Sequence, residues 1–376
     1  MKAWGHMWTY ENPVRISFGA GSLGGIGELV RGRAYCLVTY GEAMFHDLAR
    51  RIAVAAGPAA LTIDTVIPNP DFAMLTEACA RFAAARPAPQ IIVALGGGSV
   101  IDAAKVIAAG SNGFDAVKRF LVDGASADAL TAIPIIAIPT TAGTGSEVTC
   151  WATVWDTEAA RKYSLSRRSL YAVDALIDPE LTLGMPRELT VSTALDALSH
   201  SLESIWNVNG NPVSTNHAVH AATEILAVLP KLADDPGNLE LRGRMAWAST
   251  SAGLAFSNTK TALAHAISYP ITLGHGTPHG FACSFSLAMV MRSVIGASEV
   301  CDAGLRRIFG EDLAAGADRL EEFLGCLGVS TDRADYGIDD GEWRALIETA
   351  MAGERGRNFI GSRSRVMESL GATELL

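Results

Sequence analysis

The six cysteines of this 376-residue sequence (Cys36, Cys79, Cys150, Cys283, Cys301 and Cys326) form no C-x-x-C pair. Several stand in apolar runs, so free thiols in a reducing cytoplasm are expected, not a disulfide framework. Positive charge is also scarce: the formal net charge is −10 and the pI about 5.3. That balance argues against nucleic acid as a partner. It leaves room for an anionic small substrate, because a local cationic pocket can oppose the global field. No apolar run reaches the roughly 20 residues that cross a bilayer, so no membrane partner is expected. The opening Met1-Lys2-Ala3-Trp4-Gly5-His6 lacks the charged-then-apolar layout of a signal peptide. Repeats and low-complexity tracts are absent as well. What remains is a globular composition, 49% hydrophobic and 19% charged, long enough for two domains with sizeable cores.

The first half alternates strand and helix patterns. Val14–Phe18, Ala34–Thr39 and Ala59–Val66 read as strands, with helices from Gly19–Leu23 to Val30, from Met44 to Ala56 and from Phe72 to Ala84. Short links between such elements predict a mainly parallel, doubly wound sheet. From about Pro186 strand-like runs nearly vanish. Apolar positions then recur at helical spacing over Thr190–Trp206, Pro212–Leu229, Leu239–Ala255, 311–327 and 341–353. The expected division is an α/β domain over 1–185 and an all-α domain over 186–376.

Two turns in the first half carry the nucleotide signature. The apolar run Gln90–Leu95 leads into Gly96-Gly97-Gly98-Ser99 and then an alanine-rich helix to Ala109. Strand, glycine turn and helix aim backbone N–H groups at a pyrophosphate, and Ser99 adds a hydroxyl. A second apolar strand, Ile133–Ile138, is followed by Pro139-Thr140-Thr141-Ala142-Gly143-Thr144-Gly145-Ser146-Glu147. Hydroxyls and glycines there suit phosphate and ribose contacts. Either turn alone could be an ordinary link; two in succession point to a nucleotide.

The second half carries a metal signature. Asp196 and His200 are four apart and share a helix face. His265 comes from another helix and His279 from the turn Thr277-Pro278-His279-Gly280. One carboxylate and three imidazoles suit Fe(II) or Zn(II), not Ca or Mg. Each histidine alone could be a satisfied core residue. A metal held in this way can polarise a carbonyl oxygen.

Taken in order and spacing, these motifs resemble the iron-containing (group III) alcohol dehydrogenases over nearly the whole chain. The resemblance implies that family's fold, akin to dehydroquinate synthase, with the active site in a cleft between the two domains. It implies Asp196, His200, His265 and His279 as metal ligands. It implies Gly97, Gly98, Ser99, Asp102, Thr140, Thr141, Thr144 and Lys162 as cofactor contacts. A narrower likeness, carried by Ser204-Ile205-Trp206-Asn207, Asn211-Pro212 and Gly253–His265, is to the phosphonoacetaldehyde reductase branch, which serves phosphonate biosynthesis. The implied activity is NAD(P)H-linked interconversion of an aldehyde and a primary alcohol.

Two departures matter. Many members of the family carry a second histidine four residues after the third ligand; Tyr269 stands there, so Tyr269 or His275 becomes the candidate proton relay. No acid ends the strand at Tyr40 to hold a ribose 2′-hydroxyl, which admits NADPH as well as NADH, with Glu42 close by. Lys260, five residues before His265, is the candidate contact for a substrate phosphonate, since a lysine beside a metal needs an anion between them. Phe256 is a candidate pocket wall. Arg161, Arg167 and Arg168 form a basic cluster beside Lys162. The expected partners are a small aldehyde or alcohol, a phosphonate among them, and further copies of the chain. The competing readings are another short alcohol, diol or hydroxy acid, and a nucleotide-binding sensor with a structural metal.

Overall fold

Short apolar runs bounded by glycine and proline become strands in the computed structural model, which describes residues 7–159 and 161–371. The described residues divide into two units, one over Asn12–Gly184 and one from Met185 to residue 371 that also takes in the described residues up to Glu11. In the first unit, β1 (Arg15–Phe18), β2 (Tyr35–Val38), β3 (Leu61–Ile63), β4 (Ile91–Gly96), β5 (Ile135–Pro139) and β8 (Asp174–Ile177) form one parallel sheet. Its order is β1-β8-β5-β4-β2-β3. Every residue of β4 and β5 is buried, as expected of central parallel strands covered on both faces.

The two faces are legible in the strand alternation. Ile92, Ala94 and Ala137 enter one core with Leu75, Val100 and Ile107, while Ile91, Val93, Leu95 and Ile136 enter the other with Ile26 and Ile52. Chain order leaves β2 for the edge at β3, then returns past β2 to β4 and continues the other way through β5. The crevice at the carboxyl ends of β2 and β4 is therefore the switch point, where open α/β sheets bind ligands. Tyr40 follows β2 there, and the glycine turn follows β4. A hairpin that the sequence pattern did not disclose, β6 (Trp151–Asp156) with β7 (Arg161–Ser166), pairs Trp155 with Lys162.

The second unit is helical among its described residues. Its spine is Arg187–Ile205, Pro212–Asp234 and Leu239–Thr259, followed by Leu263–His275 and His279–Ser284. Asn211 caps the second of these: its Oδ1 accepts from the N–H groups of Val213 and Ser214, and Ser214 Oγ accepts from the Asn211 N–H. Pro212 fits the first helical position, where no N–H is needed. The segment before Asn12 corrects the expected boundary. The Tyr10 hydroxyl donates to Leu254 O, and Glu11 exchanges two hydrogen bonds with the Asn258 side chain. Those polar anchors, which no local pattern announces, join it to the helical unit. No helix among the described residues is long and apolar enough to cross a membrane.

Candidate metal centre

One buried face of the helix Arg187–Ile205 carries Asp196, His200 and Glu203, spaced four and three apart. The first turn of Leu263–His275 brings His265, and His279 opens the short helix after Pro278. Gly280 lets that short helix press against Arg187–Ile205: a Cβ on it would lie 1.8 Å from the carbonyl oxygen of Ser192. The result is a tight cluster. Asp196 Oδ1 lies 3.4 Å from His265 Nε2, 3.7 Å from His200 Nε2 and 3.8 Å from His279 Nε2.

These atoms are close but not hydrogen-bonded. Asp196 Oδ1, His265 Nε2 and His200 Nδ1 are all buried without a hydrogen-bond partner. Leaving such groups unpaired costs on the order of 1–3 kcal/mol each. A divalent cation among Asp196 Oδ1 and the histidine Nε2 atoms would satisfy the first two, so the donor set fits a first-row metal. Burial alone would raise the Asp196 carboxyl pKa, yet the three imidazoles outweigh it and hold the group below its ordinary value. The carboxylate is thus ionised and ready to ligate.

Glu203 was not apparent from the sequence, although its position three residues past His200 places it on the same face. Its carboxylate, fully buried, accepts from His265 Nδ1 at 2.7 Å and from the N–H groups of Ala262 and His265. Anchoring Nδ1 turns Nε2 toward Asp196 and fixes the tautomer that can bind a cation. Cys283, one helical turn after His279, is a second group that the motif did not reveal; its Sγ lies 3.5 Å from His279 Nε2.

The other expected residues divide. Phe256 stacks on His200 at 3.9 Å, and Tyr269 stacks on His279 at 5.5 Å. Both stand against the cluster. His275 does not: it lies ten residues, roughly 15 Å of helix, beyond His265, and its Nε2 is held by Glu342 at 2.8 Å. Lys260 ends its helix with φ +64°, its carbonyl held by Asn207 Nδ2. Its ammonium is exposed and faces Glu354 at 3.5 Å, so a carboxylate already supplies the anion that the sequence argument required of a substrate. Arg355 is the cation beside the cluster. Its guanidinium sits 4.8 Å from the Tyr269 ring centroid, and its Nε donates to Thr261 Oγ1. No carboxylate among the described residues pairs with it. Its distance in sequence from every motif hid it.

In the α/β unit the two turns pack on each other. A Cβ on Gly98 would meet Thr144 at 2.7 Å, and one on Gly97 would meet Thr141 at 3.3 Å. Only glycine lets the two turns approach this closely, at the place where the strand-to-helix geometry directs N–H groups toward a phosphate. Thr140 donates its N–H to Gly96 O. Ser99 Oγ accepts from the Asn69 N–H, and the Tyr40 ring packs edge-on against Phe45. Lys162 lies over Trp155 at 5.7 Å. Asp102, expected to touch cofactor, is instead taken up within the fold: its oxygens accept from Ser146 Oγ and the Thr153 N–H. Beside it the buried Lys105 donates to Ser146 O, Ser146 Oγ, Thr149 Oγ1 and Trp151 O. This buried pair braces the threonine loop. Arg167 donates to Thr131 O and is likewise structural.

Comparison with known proteins agrees with this layout. Residues 13–179 match the family described as iron-containing alcohol dehydrogenase, and residues 190–369 match the C-terminal part of the Fe-containing alcohol dehydrogenase family. A phosphonoacetaldehyde reductase of Streptomyces viridochromogenes is 32% identical over 313 residues, covering 75% of this chain and 78% of that protein. A 1,3-propanediol dehydrogenase of Klebsiella pneumoniae is 30% identical, covering 79% and 78%. The crystal structure of sulfoacetaldehyde reductase from Bifidobacterium kashiwanohense in complex with NAD+ superposes with a TM-score of 0.90 at 30% identity, covering 99% of each chain.

Proposed function

The chain belongs to the iron-containing alcohol dehydrogenase family, and from that membership we propose that it reduces phosphonoacetaldehyde to 2-hydroxyethylphosphonate. It is an iron- and nicotinamide-dependent oxidoreductase that interconverts an aldehyde and an alcohol. When bound, the metal polarises the carbonyl oxygen and the reduced nicotinamide supplies the hydride. In this reading Asp196, His200, His265 and His279 hold the metal, and Glu203 keeps His265 in its ligating tautomer. The glycine turn and the threonine loop take the cofactor phosphates. Phe256 covers the His200 ring and keeps water from that side. Tyr269, stacked on His279, delivers the proton to the developing alkoxide. The enzyme works in the cytoplasm, where its six free thiols stay reduced, and as a homo-oligomer.

The observation that carries the substrate is Arg355, a cation without a carboxylate partner and one ring stack away from His279. A phosphonate can accept its guanidinium in a bidentate manner. Charge-assisted hydrogen bonds are worth about 1.5–3 kcal/mol, or roughly 10- to 150-fold. Arg355→Ala should lower kcat/KM for phosphonoacetaldehyde by that factor while leaving propanal nearly unaffected. Lys260→Ala removes only an exposed ion pair and should cost less than about fivefold on either aldehyde. Steady-state kinetics with both substrates decides the matter. A wild type that prefers propanal would leave the family activity standing and remove the phosphonate.

Cofactor preference follows from the end of β2. Tyr40 places no carboxylate there, and Glu42 is exposed. NADPH should be used at least as well as NADH. Tyr40→Asp adds a ribose acceptor and repels a 2′-phosphate, so the NADH/NADPH ratio of kcat/KM should rise at least about tenfold, near 1.4 kcal/mol. A wild type inert with NADPH would assign that role to Glu42.

A further inference from the structure

The donor set around Asp196 contains a sulfur. Asp196, His265, His279 and Cys283 each offer a ligand atom, and those four atoms all lie within 4.8 Å of one another. Cys283 is fully buried and stands four residues after His279, on the same face of the helix His279–Ser284. Its Sγ lies 3.5 Å from His279 Nε2 and 3.7 Å from Nδ1. The Asp196 Oδ1 and His265 Nε2 atoms opposite it are buried and unpartnered. A metal at about 2.0–2.3 Å from its donors keeps neighbouring donors roughly 3–4 Å apart in a four- or five-coordinate arrangement, so Cys283 joins His200 and the other three ligands without displacing one. The separations from Asp196 Oδ1 to His265 Nε2 (3.4 Å) and to His279 Nε2 (3.8 Å) fall in that window, as does the 3.5 Å from Sγ to His279 Nε2.

We propose that Cys283 is a thiolate ligand of the metal, beside the carboxylate and imidazoles, an inference that rests on the metal centre proposed above. Metal binding displaces the thiol proton to solvent as the metal–sulfur bond forms. Among the described residues no other cysteine joins such a cluster: Cys36 and Cys79 lie in the apolar core of the α/β unit, Cys326 is exposed, and Cys150 and Cys301 stand in no group of metal-ligating atoms. Sulfur is a softer donor than oxygen or nitrogen, so its presence moves the site's preference toward zinc relative to an all-N/O set. Cys283 therefore tunes which metal the chain retains, a property that the aspartate and histidine motif does not specify.

The test uses full-length protein loaded anaerobically with Co(II). Ligation by Cys283 predicts an intense sulfur-to-cobalt charge-transfer band in the near ultraviolet, alongside the visible d–d bands. Cys283→Ser and Cys283→Ala should lose the charge-transfer band and keep d–d absorption, while Cys301→Ser should keep both. Competition with a chelator should show metal affinity lowered at least about tenfold in the two Cys283 variants. Visible bands without charge transfer in wild type would overturn the thiolate ligand and leave the metal centre intact. So would a charge-transfer band that survives Cys283→Ser. Failure of wild type to retain cobalt would overturn the metal centre and this ligand together. Because wild type alone gives a deciding spectrum, the outcome does not depend on the variants folding.

Discussion

His265→Ala is expected to abolish metal retention and to lower aldehyde reduction at least about a thousandfold, since a metal supplies several kcal/mol to a carbonyl transition state. His265 is 2% exposed and contacts both carboxylates of the cluster, with Nε2 toward Asp196 and Nδ1 on Glu203. Its removal takes a ligand and leaves the buried Glu203 carboxylate with two backbone donors but no imidazole. Asp196→Ala should match it, because Asp196 Oδ1 is the atom on which all three imidazoles converge. Glu203→Gln keeps the ligand and weakens its anchor, so metal affinity should fall by about 10- to 100-fold, a smaller loss. Metal content by atomic absorption and nucleotide binding by fluorescence separate the effects. Cofactor binding should persist, because the glycine turn belongs to the other unit. Full activity in metal-free wild type would sink the assignment of all four ligands.

Gly280→Ala should damage the same centre through packing alone. The added methyl would sit 1.8 Å from Ser192 O and 2.6 Å from Ser192 C. Both are backbone atoms of the helix that carries Asp196, so no side-chain rotation relieves the overlap. One helix must shift, at a cost near or above the upper end of the overpacking range, about 3 kcal/mol. For a unit of this size that lowers Tm by roughly 6–12 °C. His279 is the neighbouring residue, so metal affinity should fall with stability. Gly274→Ala is the control: it lies in the helix Leu263–His275 with nothing within 4 Å of a new Cβ. It should be neutral or stabilising by up to about 1 kcal/mol. Calorimetry on the two variants, with metal content measured on each, checks the pair. Equal Tm values would mean that the two helices have room between them.

Much of this molecule is written locally in its chain. The strand at Ile91–Gly96 and the turn after it follow from an apolar run meeting three glycines. The helix Phe72–Ala84 has the same limits in pattern and in structure. Asp196 and His200 share a face because 3.6 residues make a turn. The family could be read because these local signals recur in a fixed order. The sequence by itself thus determined the architecture, the nucleotide turns and the candidate ligands, since each depends on residues close together along the chain.

Only the tertiary structure decided which charged groups meet. Lys260 and Arg355 are both basic, and Lys260 is nearer His265 in sequence; folding gives Lys260 to Glu354 and sets Arg355 over Tyr269. Asp102 carries a cofactor motif, yet it is consumed by Ser146 and Thr153. Glu203 and Cys283 stand at helical spacing from His200 and His279, but only the packing of one helix on another brings Glu203 to His265 and Cys283 to the cluster. The physical reason is that backbone hydrogen bonds and apolar periodicity act over a few residues, whereas charge pairing and metal ligation depend on which distant atoms are brought within a few ångströms and sealed from water.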